Sequence, residues 1–99
     1  MGTNYYAEME NERIHIGKNS SGWKFTINED REHWRTPLDL FEFLKRSEVR
    51  IFDEYDRRYA ADEMIGIIIR ETIKPKNKTN DHERAYTVDG YQFHIGEFF

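Results

Sequence analysis

Polar and apolar side chains alternate with a period of two in the first third of the chain, and that period predicts half-buried strands. Arg13-Ile14-His15-Ile16-Gly17-Lys18 sets Ile14 and Ile16 on one face and Arg13 and His15 on the other. Asn19-Ser20-Ser21-Gly22 is a turn cluster, and Trp23-Lys24-Phe25-Thr26-Ile27 resumes the alternation with Trp23, Phe25 and Ile27 together. These two segments predict a hairpin. A Tyr-rich strand precedes them over Thr3 to Met9, with Asn11-Glu12 starting the return.

The period then changes. Thr36-Pro37-Leu38-Asp39 carries the signals of a helix start: an N-cap threonine, a proline at the first helical position and an acid near the positive end of the dipole. The helix predicted from there runs to about Arg46, with Leu40, Phe41 and Leu44 inward, Leu38 and Phe43 widening the stripe, and Lys45 and Arg46 at its C-terminal end. Val49 to Phe52 reads as a short strand closed by the turn Asp53-Glu54-Tyr55-Asp56. Ala60 to Ile73 holds two signals. Ile67-Ile68-Ile69 favours a strand, whereas Ala61, Met64, Ile65, Ile68 and Thr72 share one helical face, and fourteen residues would be a long strand. A helix is predicted, with a strand over 67–73 as the alternative. Lys74 to Asp81 is a polar linker; Ala85 to Val88, Asp89-Gly90 and Tyr91 to Ile95 form a second hairpin with a type I′ turn signal.

The expected fold class is therefore α+β. One domain over residues 1–99 carries a mostly antiparallel sheet with two helices packed on one face, in the order βββαβαββ. Chain length permits one core, and seven Phe, six Tyr and two Trp supply its mass.

Composition removes several classes of function. The absence of cysteine excludes disulfides, thiolate nucleophiles, iron–sulfur clusters and Cys-based zinc, and fits a reducing cytoplasm. The opening residues lack a signal-peptide pattern, and the longest apolar run, Met64 to Ile69, is far short of the roughly 20 residues of a membrane span, so no membrane association is expected. A net charge of −4 works against a general nucleic-acid binder.

The chemistry-bearing residues are few. His15 and His94 both lie in strands, each followed two residues later by glycine; on adjacent strands their imidazoles could meet and, with His33 or Glu97, hold a metal or move a proton. Histidines that merely hydrogen-bond on a sheet face are commoner. Lys18 beside the Asn19 to Gly22 turn could hold an anion, although Glu12 stands where a phosphate-binding loop needs glycine. Tyr5, Tyr6 and Trp23, with Lys18 and Lys24 nearby, offer rings for stacking on bases. Asp53, Glu54 and Asp56 lack the oxygen spacing of a calcium loop. The candidate binding residues are thus Tyr5, Tyr6, His15, Lys18, Trp23 and His94, with no catalytic residue, resident metal or cofactor assigned. Catalysis is left open, and a non-enzyme is favoured.

Three stretches carry a resemblance: Met1-Gly2-Thr3-Asn4-Tyr5-Tyr6; Ile14-His15-Ile16-Gly17-Lys18 with Ser21-Gly22-Trp23-Lys24-Phe25; and Asp89-Gly90-Tyr91-Gln92-Phe93 with Gly96-Glu97-Phe98. Together, covering under half of the chain, they resemble a family of small, uncharacterised proteins encoded largely by bacteriophages. Members commonly finish Glu-Phe-Ser where this chain has Glu97-Phe98-Phe99, and many place a Cys-containing segment where this chain has Ala7 to Arg13. The resemblance implies a phage or prophage origin and a bacterial cytoplasm, and no particular activity. It leads to the expectation of an accessory protein that binds and modulates a bacterial host or defence protein through aromatic contacts drawn from Tyr5, Tyr6, Trp34, Tyr55 and Tyr59. The alternatives are a metal- or anion-dependent hydrolase or ligand-binding protein centred on His15 and His94, and a nucleic-acid-binding module. Phe98 and Phe99 are expected either to close the core or to make a homodimer contact.

Overall fold

β1 (Gly2–Met9) and β2 (Glu12–Ser20) form the longest hairpin, antiparallel from Gly2↔Ser20 to Met9↔Glu12. Glu10 and Asn11 make the two-residue connection, Glu10 in the left-handed region at φ 56°. The computed structural model describes residues 2–74 and 84–95. Along the chain follow β3 (Thr26–Asn28), α1 (Pro37–Leu44), β4 (Arg50–Asp53), β5 (Arg58–Tyr59), α2 (Ala61–Ile73), β6 (Ala85–Val88) and β7 (Tyr91–His94). They make one compact α+β domain, and the predicted order holds with the short β5 added before α2.

The sheet runs β5-β4-β1-β2-β3-β7-β6, antiparallel except where β3 and β7 lie parallel. The first hairpin thus sits at its centre, with β4 on the free edge of β1 and β3 on that of β2. Residues paired across strands project to the same face, so the register sorts the sheet into two. One face carries Tyr5, Ala7, Ile14, Ile16, Ile27, Ile51 and Phe93, which join Leu40, Phe43 and Leu44 of α1 and Met64 and Ile68 of α2 in a single core. The Phe25 N–H donates to the Glu71 carbonyl at the end of α2, and Phe41 of α1 meets Tyr91 of β7 edge to face, so both helices cover this face.

The signals at the helix starts are realised, whereas α1 ends at Leu44, before the predicted Arg46. Thr36 accepts from the Asp39 N–H at 3.1 Å, with Pro37 opening α1. Glu63 reaches back to the Ala60 N–H at 2.9 Å at the start of α2. Ala60 to Ile73 is a helix because Met64, Ile68 and Thr72 bury one stripe. Asp89 and Gly90 both take positive φ, 52° and 85°, as a type I′ turn requires.

Three expectations are corrected. The hairpin predicted over residues 13–27 is only a short pairing of Gly17↔Ile27 and Lys18↔Thr26, because β3 is confined to Thr26–Asn28. Trp23 does not share a buried face with Phe25 and Ile27. It lies in a turn closed by its N–H on the Ser20 carbonyl and is 41% exposed. Leu38 is 65% exposed rather than part of the inward stripe of α1, since Leu40, Phe43 and Leu44 already fill the space over the sheet. Most of the predicted linker, and Glu97, Phe98 and Phe99 with their proposed core or homodimer contact, fall outside the described residues. No helix among the described residues is long and apolar enough to cross a membrane.

Candidate functional site

The second face of the sheet is where chemistry collects, and a bulge decides which residues reach it. Pairing shifts between Tyr5↔Gly17 and Tyr6↔His15, so Ile16 is an extra residue in β2. Tyr5 and Gly17 thereby stay on the core face while Tyr6 and His15 stand together on the other. Gly17 is required by this packing: a Cβ there would lie 2.2 Å from the Thr26 carbonyl oxygen and 2.7 Å from the Phe25 ring.

Two further pairings extend the line. Tyr6 faces Phe52 of β4, and Phe52 faces Arg58 of β5. Arg58, Phe52, Tyr6 and His15 therefore form one transverse row across four strands. The Arg13 guanidinium sits 4.7 Å from the Tyr6 ring centroid and that of Arg58 5.6 Å from Phe52, while Tyr6 and His15 are 5.1 Å apart and tilted by 30°. On one side of the row Arg13, Glu8 and Arg50 are paired; on the other, Lys18 faces Asn4.

Asn4 organises the neighbouring row. Its N–H donates to the Glu54 carboxylate at 2.7 Å, its carbonyl accepts from the Glu54 N–H at 2.9 Å, and its side-chain amide donates weakly to the same carboxylate. That leaves Asn4 Oδ1 directed at His15 Nε2, 3.0 Å away. An amide oxygen only accepts, so Nε2 is the protonated nitrogen of His15. The imidazole is 5% exposed and held by a neutral partner, an arrangement that orients a ring.

Beneath this face Asp53 fixes the β4–β5 turn. Its Oδ1 accepts from the Tyr55 and Arg57 N–H groups at 2.8 and 3.0 Å, and its Oδ2 from the Tyr59 hydroxyl at 2.8 Å. Burial pushes its pKa upward, but the bonds from Arg57, Tyr59 and Tyr55 outweigh that and hold it below the usual carboxylate range. Burial and the same bond push Tyr59 up to about 12. The Asp53 to Asp56 segment is thus no cation loop: Asp53 serves the turn, Glu54 serves Asn4, and Asp56 lies 3.8 Å from Arg13.

Of the residues singled out from sequence, Tyr6, His15 and Lys18 come together on the second face. Tyr5 does not: it is 6% exposed, its ring packed against Phe25 and Tyr59 in the core. Trp23 lies in the turn after β2. His94 shares the second face but sits on β7 opposite Asn28, with β3 between its strand and that of His15, so the two histidines are not on adjacent strands. Asn19 and Ser20 belong to β2, and Ser21-Gly22 is a turn with Gly22 at φ 82°, so the segment considered beside Lys18 for an anion is a strand end and its turn. Trp34 and Tyr59 leave the proposed contact surface as well. Trp34 is buried with its indole N–H on the Asn28 carbonyl, and Tyr59 is spent on Asp53. Tyr55, 63% exposed, remains.

His33 enters a different cluster. Its Nδ1 lies 3.0 Å from Asp30 Oδ1, its ring rests between Trp34 and Phe43, and its Nε2 faces Glu12 and Glu32 at 3.9 and 4.0 Å. The ligand atoms of Glu12, Glu32 and His33 fall within 4.8 Å of one another and could hold a divalent ion. Both glutamates are exposed, and exposed acidic groups commonly gather in this way without an ion.

Arg13, Phe52, Arg58 and Asn4 were not singled out as site residues. The alternation of Arg50-Ile51-Phe52 hinted that Phe52 opposes the core, but only strand register shows that it meets Tyr6. No family model matches the chain, and neither curated proteins nor solved structures yield a match.

Proposed function

We propose that this chain is a non-catalytic accessory protein that binds and modulates a bacterial host or defence protein, and that it docks through the second face of β2, β1, β4 and β5. The observation that carries this reading is the in-register row Arg58–Phe52–Tyr6–His15 with Arg13 laid over Tyr6. Strand spacing gives the row a length of about 14 Å. Arginine and aromatic side chains supply most of the energetic centres of protein interfaces, because they bury large rigid area and keep their hydrogen-bonding capacity.

Charge selects the partner surface. Arg13, Lys18, Arg50 and Arg58 stand on this face with Glu8 and Glu54, and Asp56 lies 3.8 Å from Arg13, so the face carries a slight excess of positive charge on a chain of net charge −4. A long polyanion would meet the repulsion of the rest of the molecule, whereas an acidic patch on a protein meets only the face. The alternative of a metal- or anion-dependent hydrolase or ligand-binding protein centred on His15 and His94 has less support, because β3 lies between the two histidine strands. A phage or prophage origin belongs to the same proposal and rests on the resemblance in the three quoted stretches.

The test compares the wild type with Arg13→Glu/Arg58→Glu in capture from bacterial lysate, followed by titration of the purified captured protein. The reading expects specific capture and an affinity loss of about a hundredfold or more on charge reversal. Capture that charge reversal leaves unchanged overturns it. A gel shift of single-stranded nucleic acid that fades steeply with salt would reassign the face.

A further inference from the structure

α2 carries Ile69 and Ile73 on a side that the core does not use. Met64, Ile68 and Thr72 are buried against the body, while Asp62, Gly66, Ile69 and Ile73 line up on the opposite side at helical spacing, Ile73 being 71% exposed. Gly66 is the low point of this stripe. One groove beside it is lined by Ile69, Arg70, Ile73 and Lys74, and another by Tyr59, Asp62, Glu63 and Ile67.

Among the described residues nothing gives this glycine a structural reason. Its φ is not positive, and a Cβ built on it would meet nothing within 4 Å. Glycine is the costliest residue after proline in a helix interior, so the fold bears a penalty that nothing among the described residues requires. What the missing side chain does provide is room for a body that approaches from outside.

Charge identifies that body. The exposed side of α2 is acidic at its start, with Asp62 and Glu63, and ends in Arg70, Glu71 and Lys74, where Arg70 pairs with Glu71 at 3.1 Å and Lys74 gives the end its net positive charge. An identical helix laid antiparallel is complementary to it: each Ile69 comes level with the other chain's Gly66, each Ile73 with Asp62, and each acidic end with a basic end. The contact is isologous, a knob entering a notch twice about one two-fold axis.

We infer that α2 is a self-association surface, pairing antiparallel with a second copy of this chain around Gly66. The helix is about 20 Å long, so the helix pair falls at the small end of specific interfaces and gives a reversible dimer. Because this stripe points away from the sheet, a dimer leaves both arginine–aromatic faces accessible and presents them in duplicate. The inference stands independently of the sheet-face reading.

Sedimentation velocity on the full chain over a concentration series tests it, with thermal melts read alongside. The expected result is a rise from one to two chain masses with concentration. Gly66→Leu, which fills the notch, and Ile73→Asp, which sets a carboxylate against Asp62 of the other chain, should each weaken dimerisation by about tenfold or more. Gly66→Ala should raise the melting temperature while weakening dimerisation. Asp62→Lys should weaken it, and adding Lys74→Asp should restore it, a rescue that misfolding cannot imitate. A chain that stays monomeric throughout, because the stripe is covered by its own residues or serves an unlike partner, overturns the inference. So does a dimer indifferent to Gly66→Leu and to the charge exchange.

Discussion

Tyr5 and Tyr6 are neighbours of the same residue type, and the sheet sends them to opposite fates. Tyr5 faces α2, packed on Phe25 and Tyr59, and burial followed by the nearby Asp53 charge raises its pKa. Tyr6 faces away, between Arg13, Phe52 and His15. The contrast shows how one strand builds a core and a recognition surface at once. Side chains alternate, the two helices cover a single face, and the Ile16 bulge keeps β2 in step with both tyrosines. Residues on the core face are paid for by burial, whereas those on the other face are held by cross-strand contacts of a fraction of a kcal/mol each.

Truncating the two tyrosines exposes that asymmetry most directly. Tyr5→Ala should cost about 3–5 kcal/mol in denaturant unfolding, as other buried aromatic truncations do. Tyr6→Ala should cost about 1 kcal/mol and instead weaken partner binding. Equal losses of stability would mean that the two faces are not distinct.

Gly17→Ala attacks the seam between β2 and β3. The added methyl meets a backbone carbonyl, which cannot rotate away, so a loss of about 1–3 kcal/mol is expected in the same measurement. A neutral or stabilising result would show that β3 is free to move off Gly17.

Asp53→Asn probes the support beneath the second face. It keeps the shape but gives a poorer acceptor to Tyr59, Tyr55 and Arg57, and should cost about 1–3 kcal/mol at neutral pH. The folded pKa of Asp53 is depressed, so its stabilisation is present above the unfolded value of 3.8 and is lost as pH falls through the folded value. Acid melts of the wild type should therefore lose stability in that range more steeply than those of the variant.

The smallest effect lies at high pH. Tyr59, and Tyr86 through burial and its bond to Glu29, are raised from 10.0 to about 12. A phenol with a raised folded pKa keeps its proton longer folded than unfolded, so its contribution is present below pH 10 and is lost as pH rises from there through 12. Phe substitution at both positions should flatten the alkaline limb of the stability profile.

Local order was legible in the sequence where neighbouring residues decide it. Thr36-Pro37 with Asp39, the helical stripe of Met64, Ile68 and Thr72, and Asp89-Gly90 each specify their element through bonds and angles spanning a few positions. The absence of cysteine excluded whole classes of chemistry by composition alone, and the charge balance weighed against a general nucleic-acid binder. Tertiary structure decided which strands are neighbours. Nothing local makes β1 pair with β4, sets β3 parallel to β7, or places β3 between His15 and His94. Register is a long-range property, fixed only when every strand finds the helices that cover it, and a shift of one residue would exchange Tyr5 for Tyr6. The row that ends at Arg58 and the idle outer stripe of α2 are therefore products of assembly, visible once the elements are packed.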